Sequence, residues 1–361
     1  MVRGAGAPPV RIGAGAWARL PAWLARWAPT ERYVLVADAR VDALHGDRAA
    51  AALAATGAAV ERLAFAPGER SKTRRTWARL SDTLLARGVD RSTVLVALGG
   101  GVTTDLVGFV AATLLRGLRW VALPTSLLAM VDAALGGKTG VDVPAGKNLV
   151  GAFHPPAFVV ADLEALDTLP PRHWREGLAE TVKHAALADE AFFAWLEAEG
   201  PRLIGATGRV RARLVRRSAA IKQAIVRRDP TEAGVRMQLN FGHTLGHAWE
   251  AASGYRMPHG AAVARGLVSE ARLGERLGWT APGTAARLAR LLERLGLPTA
   301  PPPYPPEAVL PYLRRDKKAH GATLRFALIA GIGRPLPSAR PVPEAEVAAL
   351  LAAACLAVTA S

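Results

Sequence analysis

Cysteine is almost absent from this 361-residue chain, where Cys355 stands alone in an alanine-rich tail. That excludes a disulfide framework and a cysteine-built metal site, and the expectation is a cytoplasmic protein. Half of the residues are apolar, yet no apolar run approaches the ~20 residues of a membrane span, so no membrane partner is expected. A hydrophobic content this high also excludes a disordered chain. The N-terminal stretch places Trp17, Trp23 and Trp27 at roughly helical spacing among Arg19 and Arg26. It lacks the layout of a signal peptide and predicts an amphipathic helix packed on the first domain.

Lysine is scarce as well. Lys72, Lys138, Lys147, Lys183, Lys222, Lys317 and Lys318 are the whole set, against a Lys+Arg total of 46. Nearly every replaceable cation is written as arginine, so the lysines mark places where a compact, flexible ammonium serves and a planar guanidinium does not. Acidic residues are also short, and the net charge is +16. Such a charge invites a nucleic-acid reading. The arginines, however, are spread along helical faces such as 209–217, without an aromatic-interleaved basic stripe. Nucleic acid is therefore not an expected partner, whereas a small anionic substrate needs only a few well-placed cations.

What is present is strand–helix alternation. Residues 33–37 (YVLVA) and 94–98 (VLVAL) read as buried strands, continued by 119–123 and 158–161, with helical stretches at 73–87 and 104–115 between them. This pattern predicts a Rossmann-like α/β domain with a parallel sheet over residues 1–170. After Pro170-Pro171 the pattern is helical to about residue 295, which predicts an all-α C-terminal domain over 171–361. A proline-rich hinge at 298–306 precedes a short strand at 323–330.

Strand 94–98 runs into Gly99-Gly100-Gly101-Val102-Thr103-Thr104-Asp105. Three glycines allow close backbone approach and positive φ, and the helix start after them suits a dinucleotide diphosphate. Thr104 and Asp105 are candidate caps for that helix. A plain tight connection explains the same glycines, and G-x-G-x-x-G is absent. Asp38, and Glu69 with Lys72 in PGERSK, are candidates for ribose hydroxyls or ordinary loop polar residues.

His243 and His247 lie four apart and share one helix face. His259 follows in PHG, and Glu180 lies three residues before Lys183. Three imidazole or carboxylate ligands with one open position are what a catalytic Zn²⁺ uses. The glutamate of H-E-x-x-H is missing, which excludes that metalloprotease motif. Asn240, Gly242 and Gly246 are small residues that bring the backbone close to a neighbour. Between 131 and 153, Asp132, Lys138, Lys147 and Asn148 are interleaved with Gly136-Gly137 and Gly146. Glycine directly before lysine points to an anion approached by backbone and ammonium together. Lys183, Lys222 and Arg236 add cations on helices of the second domain.

The blocks GGGVTTDLVGFVAATLLRG, LPTSLLAMVDAALGGKTGVDVPAGKNLVGAF, GLAETVK and LNFGHTLGHA followed by PHG resemble, in order and spacing, those of the 3-dehydroquinate synthase family over about residues 30–330. The resemblance implies an enzyme with NAD and Zn²⁺ or Co²⁺ as cofactors. It would convert 3-deoxy-D-arabino-heptulosonate 7-phosphate to 3-dehydroquinate and phosphate by transient oxidation, phosphate elimination, reduction and aldol closure. It implies Glu180, His243 and His259 as metal ligands, with His247 in proton transfer beside them. Lys138, Asn148, Asn240 and one of Lys317 and Lys318 (Lys318 by preference) would hold the phosphate, with Arg116 reaching in from a second subunit of a homodimer. Lys222 and Arg236 would hold the carboxylate, and Asp132, Lys147 and Lys183 the hydroxyls. Cofactor contacts are implied at Asp38, Glu69, Lys72, Gly99, Gly100, Gly101, Val102, Asp105, Thr125, Ser126, Asp132, Lys138, Lys147 and Thr168. The chain departs from the family pattern at Thr104, Asp142 and Ala261. Another sugar-phosphate cyclase or a metal-dependent polyol dehydrogenase is the alternative, and the pairing of Lys222 with Arg236 favours an acid substrate.

Overall fold

The strands β1 (Val10–Gly13), β2 (Arg32–Asp38), β3 (Ala59–Phe65), β4 (Val94–Gly99) and β5 (Arg119–Pro124) belong to one sheet. After the hairpin of β6 (Lys138–Val143) and β7 (Gly146–Phe153), β8 (Val159–Asp162) joins them. The sheet order is β1-β8-β5-β4-β2-β3, and every pairing is parallel. The computed structural model that gives this arrangement describes residues 7–315 and 323–359. Lys317 and Lys318 lie outside the described residues.

The central strands are apolar throughout because both faces are covered, and Tyr33–Ala37, Val94–Gly99 and Trp120–Pro124 are all buried. At the sheet edge, β3 reads AVERLAF and buries only its last residue fully, so its pattern gave no strand signal in advance. The hairpin was not expected either. Val141 is in the core beside the partly buried Val150 and Ala152, while Leu149 and Phe153 are exposed. At the N-terminus the helix Leu20–Trp27 buries Leu20 and Leu24, and Trp17 is buried just before it. Among the described residues no helix is long and apolar enough to cross a membrane.

Two compact units divide the chain: Met1–Trp174 with Thr207–Pro230, and Arg175–Ala206 with Thr231–Ser361. The first holds the sheet and α1 (Gly101–Thr113). The chain leaves it along α2 (Pro171–Ala188) and returns with α3 (Gly208–Arg228). Helix α3 therefore belongs with the sheet, although the sequence placed it among the helices after Pro171. Its arginines Arg209, Arg213, Arg216 and Arg217 are exposed, while Leu214, Val215, Ala219 and Ile221 are buried, and Ala219 joins the core of the sheet unit.

The second unit is mainly helical, with α4 (His243–Ala252) and α5 (His259–Arg276) at its centre. It also carries two short antiparallel ladders, Thr323–Phe326 with Arg340–Pro343 and Ile329–Gly331 with Arg334–Pro335. Leu245, Trp249, Leu273 and Phe326 lie in its core. The two central helices meet closely, and a Cβ on Gly266 of α5 would stand 1.9 Å from the carbonyl oxygen of Gly242.

Candidate functional site

In the second unit Glu180 comes from the buried face of α2, His243 opens α4 and His259 opens α5. The Nε2 atoms of His243 and His259 lie 3.2 and 3.1 Å from Glu180 Oε1. The three residues offer ligand atoms within 4.8 Å of one another. Each imidazole is anchored through its other nitrogen. His243 Nδ1 is 3.2 Å from the carbonyl oxygen of Phe241, and His259 Nδ1 is 3.3 Å from Glu250 Oε2. Lys183 Nζ stands 2.5 Å from Glu180 Oε2. One carboxylate and two outward-anchored imidazoles form a donor set that Zn²⁺ and Co²⁺ accept.

The charges of the cluster act strongly on one another. Burial disfavours a charged Glu180, but Lys183 and then His243 override it and hold the carboxyl well below its ordinary range. Burial, reinforced by Lys183, lowers His243. For His259 burial is outweighed by hydrogen bonds to Glu180 and Glu250, which push it up to about 10. The proton held there is one that a dication displaces on binding. His247, on the same helix face, is solvent-accessible yet crowded by protein. Desolvation, then His243, lowers its imidazole to about 3, so it is neutral near pH 7.

Two further carboxylates of this cluster had no signal in the sequence. Glu250 is 2% exposed and touches His259, as above. Glu270 is fully buried on α5 and accepts hydrogen bonds from Gly242 N at 2.7 Å and Leu245 N at 3.0 Å. It thereby closes the N-terminal end of α4 and ties the helix carrying His243 to the one carrying His259. Each sits on a helical stretch that reads as ordinary amphipathic pattern. Asn240 Nδ2 donates to Glu232 at 3.0 Å, and Arg236 is fully buried just before it.

In the first unit the glycine run behaves differently from expectation. None of Gly99, Gly100 and Gly101 has positive φ, and Gly100 at the N-cap is extended. The need for glycine at 99 is steric, since a Cβ there would stand 2.3 Å from Thr103 Oγ1. Thr104 and Asp105 do not cap α1. Thr104 Oγ1 donates to Gly101 O at 3.0 Å, and Asp105 Oδ2 accepts from Lys72 Nζ at 2.5 Å. No side chain caps the start of α1, which leaves a helix N-terminus suited to a diphosphate. Val102 follows on its first turn.

Around that loop, Lys72 is buried and its ammonium bridges Asp105 and Asn148. Burial works against its charge, and Asp105, Glu69 and Asp142 together outweigh burial and raise its pKa. Asn148 holds φ 57, and its N–H donates to Asp142 Oδ1 at 3.0 Å. Lys147 Nζ lies 3.5 Å from a Glu69 carboxylate oxygen. Lys222 of α3 donates to Asp132 Oδ1 at 2.6 Å, so these two expected substrate residues are brought together within the sheet unit. Lys138 opens β6 at an exposed position.

The other candidates have local roles in the backbone. Asp38 Oδ1 accepts from Arg40 N and Val41 N at the end of β2. Ser126 Oγ caps the helix Leu127–Val131, and Thr125 N donates to Gly99 O. Thr168 Oγ1 is 2.9 Å from His45 Nε2. Arg116 is exposed in a turn where Leu115 and Arg116 take φ 51 and 66 in succession. Two adjacent left-handed L-residues cost on the order of 1–2 kcal/mol each, a strain typical of functional positions.

Comparison with known proteins gives a consistent picture. Family models described as 3-dehydroquinate synthase N-terminal and C-terminal match residues 62–176 and 177–319. A 3-dehydroquinate synthase of Symbiobacterium thermophilum is 45% identical, covering 93% of this chain and 95% of that protein. A 2-epi-5-epi-valiolone synthase from Streptomyces hygroscopicus subsp. jinggangensis, solved with NAD⁺ and Zn²⁺, is 28% identical with TM-score 0.88 and covers 99% of each chain. A 2-deoxy-scyllo-inosose synthase solved with carbaglucose-6-phosphate, NAD⁺ and Co²⁺ is 26% identical with TM-score 0.86, covering 95% of each chain.

Proposed function

The chain belongs to the 3-dehydroquinate synthase family, and from that premise we infer that it is an enzyme that converts 3-deoxy-D-arabino-heptulosonate 7-phosphate to 3-dehydroquinate and phosphate. Its cofactors are NAD⁺ and a divalent Zn²⁺ or Co²⁺. The single observation that carries this reading is the convergence of Glu180, His243 and His259, in a chain 45% identical to a synthase of that name. The valiolone and inosose synthases, at 28% and 26%, are more distant.

When bound, NAD⁺ supplies a reversible hydride acceptor and the dication acidifies the hydroxyl it meets. The chain's own residues do the rest. Glu180, His243 and His259 hold the metal, and the uncapped start of α1 with Gly99–Gly101 holds the cofactor diphosphate. His247, neutral near pH 7, takes the proton from the C5 oxygen and returns it. Lys222 and Arg236 fix the carboxylate, and Asp132, Lys147 and Lys183 orient the ring through its hydroxyls. Lys138, Asn148, Asn240 and a lysine of the 317–318 pair hold the phosphate that leaves. Residues 1–170 serve the nucleotide, and 171–361 the metal and most of the substrate, with Lys222 of α3 contributing from beside the sheet. The enzyme works in the cytoplasm.

Lys138→Arg is expected to lose nearly as much turnover as Lys138→Ala, because a planar guanidinium does not replace the compact ammonium proposed to meet the phosphate. Steady-state kinetics of the two variants check it, and near wild-type turnover in Lys138→Arg contradicts it.

Family resemblance supports a homodimer in which the exposed Arg116 reaches the neighbouring subunit's phosphate. Arg116→Ala and His243→Ala, each inactive alone, then complement on mixing. Random reassortment into C2 dimers restores about a quarter of wild-type activity, since half the dimers are hybrids with one intact site of two. No recovery despite demonstrated subunit exchange places Arg116 in its own subunit's site or outside it.

A further inference from the structure

We propose that Glu250 is the positioning residue for His259: its buried carboxylate accepts the Nδ1–H of that imidazole and so leaves the Nε2 lone pair for a cation held with Glu180. The proposal rests on the reading of Glu180, His243 and His259 as a metal site and adds a fourth residue that touches no metal.

The geometry supports it from both sides of the ring. His259 Nε2 is 3.1 Å from Glu180 Oε1, and Nδ1 is 3.3 Å from Glu250 Oε2. Once a dication displaces one proton, the ring keeps one N–H and one lone pair, and the buried acceptor on the Nδ1 side selects the tautomer whose lone pair is at Nε2. His243 is built the same way with a different acceptor, its Nδ1 facing the carbonyl oxygen of Phe241 while Nε2 faces Glu180. Glu250 is 2% exposed, so its position is set by the protein around it and not by solvent. It reaches His259 from the end of α4, three residues after His247, so the anchor links the helix of His243 to the start of α5.

Glu250 also falls within a second group of potential ligand atoms, with His247 and His259. A metal bound there through Nδ1 of His259 leaves Nε2 protonated and unable to serve beside Glu180. One neutral ring cannot ligate on both sides, and His243, anchored through Nδ1 with its Nε2 facing Glu180, marks the Glu180 side as the one prepared for a cation.

The test is the affinity of the full-length protein for Zn²⁺ and Co²⁺, measured by competition with a chromophoric chelator. Glu250→Ala is expected to weaken binding about 10–100-fold. Glu250→Gln keeps an oxygen acceptor for Nδ1–H and is expected to lose less than about tenfold, below the range that loss of an outer-shell partner costs. The visible spectrum of bound Co²⁺ keeps its band pattern in Glu250→Gln. Unchanged affinity in Glu250→Ala overturns the proposal. So does a Glu250→Gln variant as weak as Glu250→Ala with an altered Co²⁺ spectrum, which makes Glu250 a ligand. Circular dichroism and melting of the metal-free variants report folding. Should Glu250→Ala not fold, nitrogen chemical shifts of His259 in the Zn²⁺-loaded wild type decide: a proton on Nδ1 supports the anchor, and a proton on Nε2 overturns it. Wild-type protein that binds neither metal overturns the metal reading itself, and this proposal with it.

Discussion

Replacing His243 by alanine is expected to lower phosphate release by at least about a thousandfold and to leave the purified protein without stoichiometric metal. The magnitude follows from the several kcal/mol of charge stabilisation that a metal supplies to a reacting oxygen, at tenfold in rate per 1.36 kcal/mol. The structural reason is that Glu180 Oε1 is shared by two imidazoles at 3.2 and 3.1 Å. Removing one leaves a carboxylate and a single imidazole, too few donors for a tetrahedral site with one open position. Exhaustive chelation of the wild type produces the same loss, and added Zn²⁺ or Co²⁺ restores activity to the wild type but not to the variant. Elemental analysis alongside a phosphate assay checks both. A His243→Ala enzyme that turns over at more than about a tenth of the wild-type rate with no metal present is incompatible with a cofactor worth several kcal/mol.

The second large effect concerns a residue with no chemistry of its own. Gly266→Ala places a Cβ 1.9 Å from Gly242 O and 2.8 Å from Gly242 C, both backbone atoms that no rotamer change can move. Gly242 is itself pinned, with φ 80 and its N–H bound to Glu270. Relief therefore requires α4 to shift away from α5, which pulls His243 from His259 and breaks the paired hydrogen bonds of Glu270. Overpacking of this kind costs about 1–3 kcal/mol and sometimes more. A drop in the melting midpoint of the metal-free protein is expected, together with weaker Zn²⁺ binding. A Gly266→Ala protein with both properties unchanged shows that the helices do not approach this closely.

These residues also show how far the sequence alone could be read. The central strands were legible because a parallel strand buried on both faces is apolar without interruption, as in 33–37 and 94–98. Edge strand β3 was not, since glutamate and arginine interrupt AVERLAF. The β6–β7 hairpin was hidden for another reason. Its glycines and lysines read as anion chemistry, while Gly140 and Gly151 are also where the two strand backbones come together, a Cβ on Gly151 meeting Thr139 O at 2.1 Å. Helix α3 carries an arginine-rich face that says nothing about which unit receives its apolar face. The candidate metal ligands Glu180, His243 and His259 were visible through ordered blocks of sequence and are brought together, whereas Glu250 and Glu270 were not visible. A carboxylate that anchors an imidazole or a helix end needs only a position in space, and no local spacing announces it. Positive φ was expected in the glycine run and is absent there; glycine is required at 99 for space, since Thr103 already fills the room a side chain would take.

The most direct measurement is turnover of 3-deoxy-D-arabino-heptulosonate 7-phosphate by the metal- and NAD⁺-loaded protein, following phosphate, 3-dehydroquinate and NADH together. Oxidation and reduction at the same carbon return the cofactor to its starting state, so phosphate and 3-dehydroquinate should appear in equal amounts while NADH stays flat. Absence of phosphate release, or NADH accumulating in step with substrate consumed, contradicts the account and points to a dehydrogenase.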